Sequence, residues 1–271
     1  MKVADKVVVV TGAGSGMGRA VALEALNRRA RVAAVDLNPE TLQETARIAG
    51  ALGRLSTHTL NVADKAAVAA LPNAVVAHHG AVDGLVHCAG IIQPFVKVKD
   101  LDDAAIERVF EVNWWGTLHL NRTFLPVLLA RPEGHIVNVS SMGGFLPVPG
   151  QTVYGASKAA VKLFTEALWS ECKGTRVHVT LVIPGGVATN ITSNSGVAMP
   201  IDMTSPEMAK MADRKVATPE EAAKAILDGM EKDAYRVLIG RDARSMDLLY
   251  RLYPKGATSL IARQMRSLLK G

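Results

Sequence analysis

The sequence predicts an α/β chain: a doubly wound, seven-stranded parallel sheet with helices on both faces. Three observations predict it. Short β-branched runs alternate with longer segments of helical periodicity along the 271 residues, and such alternation builds parallel sheets covered by helices. Several runs, such as Val7-Val8-Val9-Val10, are continuously apolar, as expected of strands buried on both faces. Apolar residues make up 49% of the chain and aromatics only 4%. The core is therefore mostly Ala, Val, Leu and Ile, which suits small-residue helices packed on a Val-rich sheet.

Strands are expected at residues 6–11, 31–36, 55–61, 84–88, 135–140, 177–183 and 236–240. Helices are expected at 16–28, 39–52, 64–79, 102–129, 152–172 and 219–232. The last of these opens on Thr218-Pro219-Glu220-Glu221, a capping residue, a proline at the first helical position and a glutamate three residues on. No internal repeat, low-complexity stretch or linker divides the chain, so residues 1–271 read as a single domain. The segment 189–216 breaks the rhythm with Met199, Met203, Met208 and Met211 among Gly196, Pro200 and Pro206. A long connection between strand and helix is more often functional than idle, and flexible thioethers adapt to varied apolar shapes. The segment is read as a substrate lid, although for any one Met ordinary core filling is favoured.

The formal charge is +6, but residues 241–271 carry seven Lys/Arg against two Asp and so hold +5 of it. The rest is nearly neutral, whereas a nucleic-acid footprint puts a basic stripe on the fold itself. The basic tail has its own pattern. If residues 258–270 form a helix, Leu260, Ile261, Met265, Leu268 and Leu269 share one side, while Arg263, Arg266 and Lys270 gather on the other. Packing onto protein, near the lid or across a subunit contact, is favoured over an anionic membrane surface, because the apolar face is short. Met1-Lys2 leads almost directly into a strand, leaving no room for a signal peptide. No apolar run approaches the roughly 18 residues of a spanning helix. Cys88 and Cys172 are too few for a disulfide framework. Together these point to the cytoplasm. The histidines lack metal-ligand spacing, and His78-His79 reads as a solvated helix end.

Thr11-Gly12-Ala13-Gly14-Ser15-Gly16-Met17-Gly18 follows the first strand and opens the first helix. A pyrophosphate must approach backbone N–H groups at a helix N-terminus, and a Cβ there would block it. A lone glycine-rich turn is weak evidence, but this one has strand and helix in place and an acidic residue, Asp36, ending the next strand. That makes the sheet Rossmann-like. A carboxylate at Asp36 accepts from the adenosine ribose hydroxyls and repels a 2′-phosphate. Neither Ser15 nor Leu37 is basic. NAD is therefore favoured over NADP, with Arg19 on the first helical turn as the one cation that could reverse the choice.

The spacing Thr-Gly-x-x-x-Gly-x-Gly resembles the short-chain dehydrogenase/reductase family, and the later motifs strengthen the resemblance. Tyr154-Gly155-Ala156-Ser157-Lys158 is similar to the family's Tyr-x-x-x-Lys, and Ser141 stands thirteen residues before the tyrosine. Asn113, in Asn113-Trp114-Trp115-Gly116, resembles the family's helix asparagine. Pro184-Gly185-Gly186-Val187-Ala188-Thr189 resembles its Pro-Gly motif. These matches run from residue 6 to about residue 240. Two departures stand out. Where the family often has Asn-Asn-Ala-Gly, this chain has His87-Cys88-Ala89-Gly90, which puts a backbone tie across the sheet in doubt and predicts a local stability cost. The family's usual Asp-Val after the third strand is Asn61-Val62 here, and an Asn carbonyl can still accept from the adenine amine.

The resemblance implies an NAD(P)-dependent oxidoreductase moving a hydride between nicotinamide and a secondary alcohol or ketone. Tyr154 is its general acid/base, and the Lys158 ammonium lowers the phenol's pKa. Ser141 holds the substrate oxygen, and Asn113 supports a water chain from Lys158. The cofactor set is Gly12, Ser15, Gly16, Met17, Gly18, Asp36, Leu37, Asn61, Val62, Ala89, Gly90, Tyr154, Lys158, Pro184, Gly185, Val187 and Thr189. Val187 and Thr189 hold the carboxamide. Ile92, Phe95, Phe145, Leu146, Val148 and Met199 form an apolar substrate pocket with few charges nearby, which favours alicyclic, aromatic or terpenoid-like substrates over anionic ones. The two long helices that carry Trp114, Trp115 and Trp169 imply a homodimer or homotetramer. Competing readings are an NADP-dependent 3-ketoacyl carrier reductase, a cofactor-free dehalogenase, and a nucleotide-sensing protein without catalysis. The first wants a base near Ser15 or Leu37. The second would have lost the glycine turn and Lys158, and the third would lack Tyr154 or Lys158.

Overall fold

A computed structural model describes residues 1–50, 53–197 and 216–265. Seven parallel strands form one sheet in the order β3-β2-β1-β4-β5-β6-β7. They are β1 (Val7–Thr11), β2 (Arg31–Asp36), β3 (Leu55–Thr59), β4 (Gly84–His87), β5 (Gly134–Val139), β6 (Val177–Pro184) and β7 (Arg236–Ile239). All five residues of β1 are buried. Its four valines favour the extended backbone through their branched Cβ, and full burial of each contributes about 1.5–3 kcal/mol. One cluster of buried side chains lies on each face of the sheet, the first around Val8, Val10 and Ile226, the second around Val9, Leu120 and Phe124. The strand order reverses between β1 and β4. Ligands of such sheets bind at this crevice, beyond the carboxyl ends of the strands.

Helices α1 (Gly16–Asn27), α2 (Pro39–Ala49) and α3 (Lys65–His79) follow the first three strands. Side-chain caps fix the starts of α2 and α3. Asn38 caps α2 through bonds from the N–H groups of Glu40 and Thr41, and Asp64 caps α3 through Ala66 and Ala67. The capping box expected at Thr218 is formed. Its hydroxyl accepts from Glu221 N at 3.1 Å, and Glu221 Oε2 accepts from Thr218 N at 3.0 Å. Helix α6 (Thr152–Glu171) follows β5. The short α7 (Ile191–Asn194) and then α8 (Pro219–Glu231) come between β6 and β7.

The single helix expected over 102–129 is interrupted. Helix α4 (Asp103–Phe110) passes through a π turn at Glu111–Trp115 into α5 (Gly116–Leu129). The added residue shifts the apolar pattern within a single turn, too short a stretch to stand out in the sequence, and such bulges recur at functional sites. His79 is a second correction. It is buried, and its Nε2 lies 2.9 Å from Ser56 Oγ of β3. Burial holds its pKa down at about 4.

The tail forms two helices rather than one beginning at Thr258: α9 (Arg241–Leu252) and α10 (Pro254–Gln264). Pro254 stops the first and sits at the first position of the second, where its missing N–H costs nothing. Only part of this hairpin packs on the body. Ala243 and Ala257 are buried, and Tyr250 meets Phe145 with ring centroids 6.0 Å apart. Leu248, Leu252, Tyr253 and Leu260 remain exposed, so the apolar face is not buried within one chain. Met199, most of the expected lid and the last residues of the tail (residues 266–271) lie outside the described residues. No described helix is long and apolar enough to cross a membrane.

Candidate active site

The glycine-rich loop leaves β1 and turns at once into α1. Gly12 has φ +70°, and a Cβ on it would lie 2.9 Å from Ala89 N, across the crevice. Gly18 packs directly on the backbone of Gly12, with no room for a Cβ. The loop is thus closed on itself on one side and open toward a cavity of about 450 Å³ on the other. Of the expected cofactor residues, Gly12, Ser15, Gly16, Met17, Gly18, Asp36, Leu37, Asn61, Val62, Ala89, Gly90 and Thr189 line this cavity. Pro184, Gly185, Val187, Tyr154 and Lys158 are not among its lining residues.

Asp36 ends β2 at the far edge of the cavity. Its Oδ2 accepts from Gly14 N at 2.8 Å and its Oδ1 from Asn38 N at 3.1 Å. The carboxylate therefore braces the glycine loop as well as facing the cleft. Arg19 is engaged elsewhere: its guanidinium donates to Gly14 O, to Thr41 O and, at 3.0 Å, to Thr45 Oγ1. Leu37 is 64% exposed. Asn61 Oδ1 accepts from Ala63 N at 3.0 Å, closing the turn after β3.

The backbone tie doubted at Cys88 is made by another pair. Thr11 Oγ1 accepts from Ala89 N at 3.3 Å and lies 2.7 Å from His87 Nδ1. The threonine on β1 joins the two strands at the crevice. Burial pushes the Cys88 thiol up to about 12, so it remains protonated.

Four candidate catalytic side chains come from three different elements. Asn113 sits in the π turn, fully buried. Its Oδ1 accepts from Ile91 N and its Nδ2 donates to Ile91 O, both at 2.9 Å, and Nδ2 also donates to Ser157 Oγ at 3.0 Å. Ser141 follows β5, and its Oγ accepts from Gly143 N at 3.0 Å. Tyr154 and Lys158 lie one turn apart on α6. Lys158 Nζ donates to Val139 O at 3.1 Å, and Lys158 O accepts from Ser140 Oγ at 2.7 Å. A Cβ on Gly90 would stand 3.0 Å from Lys158 Nζ and 3.2 Å from Asn113 Oδ1, so both groups face the same glycine at the cavity wall. A Cβ on Gly143 would stand 3.5 Å from both Ser141 Oγ and Tyr154 Cε1. The structure thus brings Lys158 and Asn113 together at Gly90, which lines the cavity, and Ser141 and Tyr154 together at Gly143.

Their electrostatics differ from expectation in one respect. The Tyr154 phenol is raised above its usual value by burial, and what opposes the rise is its hydrogen bond with Ser141. Lys158 does not supply the expected lowering. Burial brings its own ammonium down to about 8, with Cys88 acting weakly the other way. Stability carries the signature. Between about pH 8 and 10.5 the unfolded chain binds the Lys158 proton and the folded chain does not, so stability rises with pH in that window. The raised Tyr154 opposes this only above pH 10, where the unfolded phenol ionises first. Melting temperatures from pH 8 to pH 10 should therefore rise for wild type relative to Lys158→Met. Parallel curves would show that Lys158 is not desolvated.

Among the expected pocket residues, Ile92 is buried and Phe95, Phe145 and Val148 are partly exposed. Leu146 is fully buried, so it supports the wall from behind and offers a substrate no surface. Thr189 stands across the cleft, 3.2 Å from where a Cβ on Gly16 would be. Val187 forms a bridge with Ala217. Two residues escaped the sequence reading. Asp242, at the start of α9, accepts from Gly186 N at 2.7 Å and packs its carboxylate on Gly185, locking the Pro-Gly loop. Gln93 is fully buried beside the start of α6. The glycine pair hinted at the first. Nothing local marked the second.

Residues 6–199 match the family described as short chain dehydrogenase. The chain belongs to that family. It is 42% identical over 263 residues to the oxidoreductase SadH of Mycobacterium tuberculosis, covering 95% of this chain and 94% of that one. Among solved structures, a short-chain dehydrogenase/reductase from Burkholderia phymatum in complex with NAD superposes with a TM-score of 0.80 at 26% identity. It covers 93% of this chain and 96% of its own. Another short-chain dehydrogenase, from Burkholderia cenocepacia in complex with NADP, gives a TM-score of 0.79 at 25% identity, covering 96% and 99%. The short-chain dehydrogenase described here is thus an oxidoreductase of a family whose members bind NAD or NADP.

Proposed function

We propose that this protein uses NAD to interconvert a secondary alcohol and a ketone on a small, mostly apolar substrate. The observation that supports it best is the meeting of Ser141 and Tyr154 at Gly143 with Lys158 one helical turn away. Nicotinamide, when bound, supplies the hydride acceptor or donor. Gly16 fits a pyrophosphate at the start of α1, because a Cβ there would stand in the cleft against Thr189, while Gly12 and Gly18 let the loop close tightly beneath it. Asp36 faces the adenosine ribose end. Gly90 leaves open the space beside Lys158 Nζ where a ribose hydroxyl would sit.

The chain's own groups manage the proton. Ser141 donates to the substrate oxygen and fixes it beside the phenol. Tyr154 takes the alcohol proton in oxidation or gives it in reduction. Its raised value keeps it a proton donor in the nucleotide-free protein, so ionisation is favoured only as positive charge gathers near it. Lys158, titrating near 8, can pass a proton on at neutral pH. Asn113 fixes Ile91 and hence Gly90, holding open the wall of this path. Phe95, Phe145 and Val148, with Tyr250 behind Phe145, offer an apolar surface on which an unpaired anionic group would be costly to bury. The protein is taken to work in the cytoplasm as a homodimer or homotetramer, with α5 and α6 as contact helices.

Purified protein mixed with NAD and a panel of alicyclic and aromatic secondary alcohols tests this reading directly. Reduced cofactor should accumulate with apolar members and not with small anionic ones. No reduction of NAD or NADP by any member would favour a nucleotide-sensing role, and strong preference for an anionic alcohol would contradict the pocket.

A further inference from the structure

Helix α6 starts without a cap of its own. Gln151 holds the N-cap position and its side chain makes no capping bond. The second and third residues of the helix, Val153 and Tyr154, direct their N–H groups at a side chain from the loop after β4. Gln93 Oε1 accepts from Val153 N at 2.7 Å and from Tyr154 N at 3.0 Å. Gln93 Nε2 donates to Gly150 O at 3.1 Å, and Gln93 O accepts from Gln151 Nε2 at 2.9 Å. The side chain has no exposed surface. Next to it, Ile92 N donates to Ser195 Oγ at 3.0 Å, so the loop that presents Gln93 is itself anchored.

First-turn N–H groups have no partner within a helix and are satisfied by a capping acceptor. Here one neutral amide supplies that acceptor and also the donor that Gly150 O needs. The rest of the site is tied separately. Lys158 is fixed to β5 through Ser140 and Val139, and Ser157 through Asn113. The turn that carries Tyr154 takes its cap from Gln93.

We propose that Gln93 is a positioning residue for the reaction: a cap supplied across the fold that fixes the first turn of α6 and with it the Tyr154 phenol opposite Ser141. This rests on the reading of Tyr154 as the acid/base. It predicts a selective defect, because Lys158 and the glycine loop keep their own anchors when Gln93 is lost.

The experiment compares wild type, Gln93→Met, Gln93→Glu and Gln93→Asn. The Tyr154 phenolate is followed by ultraviolet difference absorbance, with the Tyr154→Phe curve in the same background subtracted. NAD binding is measured by calorimetry, and NAD-linked oxidation of cyclohexanol serves as the activity probe. Gln93→Met should move the Tyr154 titration down toward that of a free phenol, as water enters a loosened turn. Its kcat should fall about tenfold or more, with NAD affinity unchanged. Gln93→Glu keeps the acceptor and should keep the titration close to wild type. Gln93→Asn is a methylene too short for both N–H groups. It should reproduce the shift and replaces Gln93→Met if that variant does not fold. The titration decides the matter whatever the rate with cyclohexanol. A Gln93→Met or Gln93→Asn protein with lower melting temperature but unaltered Tyr154 titration would overturn the proposal and leave Gln93 a structural cap. Full activity in Tyr154→Phe would overturn the reading beneath it, a result distinct from the first.

Discussion

Tyr154→Phe is expected to lower kcat by about 10³-fold, within the range general acid–base catalysis contributes, while NAD binding stays nearly intact. The substitution removes one phenol oxygen and almost none of the ring. The half-buried ring keeps its place at the start of α6, and Ser141 keeps its bond from Gly143 N. No buried polar partner is left stranded, so the stability change should be small, about 1 kcal/mol. Lys158→Ala should behave differently. It removes the group beside Gly90 and the bond to Val139 O, so nucleotide affinity and turnover should both fall. The pair separates proton transfer from positioning. Calorimetric NAD titrations and steady-state rates on the two variants supply the comparison. A Tyr154→Phe enzyme that retained most of the wild-type rate would remove Tyr154 from the role of acid/base.

Much of this site could be read from the chain because its chemistry depends on neighbours in sequence. The glycine turn, the four-residue step from Tyr154 to Lys158 and the capping box at Thr218 are local, and each stands where the residues predict. The strands were equally readable: burial on both faces leaves a continuous apolar run such as Val7–Val10. What failed was what depends on contacts between distant segments. His79 looked solvated because its partner, Ser56, belongs to β3, across the fold. The π turn at Glu111–Trp115 spans one turn between two α-helical segments, too short to break the helical pattern visibly in the sequence. Cys88 looked like a lost tie because Thr11, which makes it, had been read only as the start of the glycine turn. Gln93 carries no local signal in the sequence, since its four hydrogen bonds reach residues 57 to 61 positions away. The activation of Tyr154 was misassigned for a related reason: spacing shows that Lys158 is near, but burial and the Ser141 bond decide the phenol's proton affinity.

Replacing Asp36 with Ala and Leu37 with Arg together is expected to move the ratio of kcat/KM for NAD to that for NADP by about 10²-fold toward NADP. One charge-assisted hydrogen bond contributes about 1.5–3 kcal/mol, and each 1.4 kcal/mol is tenfold in affinity. Neither Ser15 nor Leu37 offers a 2′-phosphate such a partner. Leu37 projects into solvent at the cleft edge, where an arginine could swing onto the phosphate. Arg19 does not fill the role, because its guanidinium is held by Gly14 O, Thr41 O and Thr45 Oγ1. Recruiting it would undo the bonds that clamp the glycine loop to α2. Asp36 has a second duty that sets the cost of the change. Its Oδ2 accepts from Gly14 N, so the alanine leaves that N–H without its partner and should loosen the loop for both nucleotides. The double variant should therefore lose absolute activity with NAD by more than it gains with NADP, while the ratio still reverses. Leu37→Arg alone, with Asp36 in place, should gain little, since the carboxylate would pair with the new arginine and still repel the phosphate. Steady-state kinetics with both nucleotides on the wild type and these variants decides it, and a wild-type enzyme with the higher kcat/KM for NADP would show that Asp36 serves the loop and not the choice of cofactor.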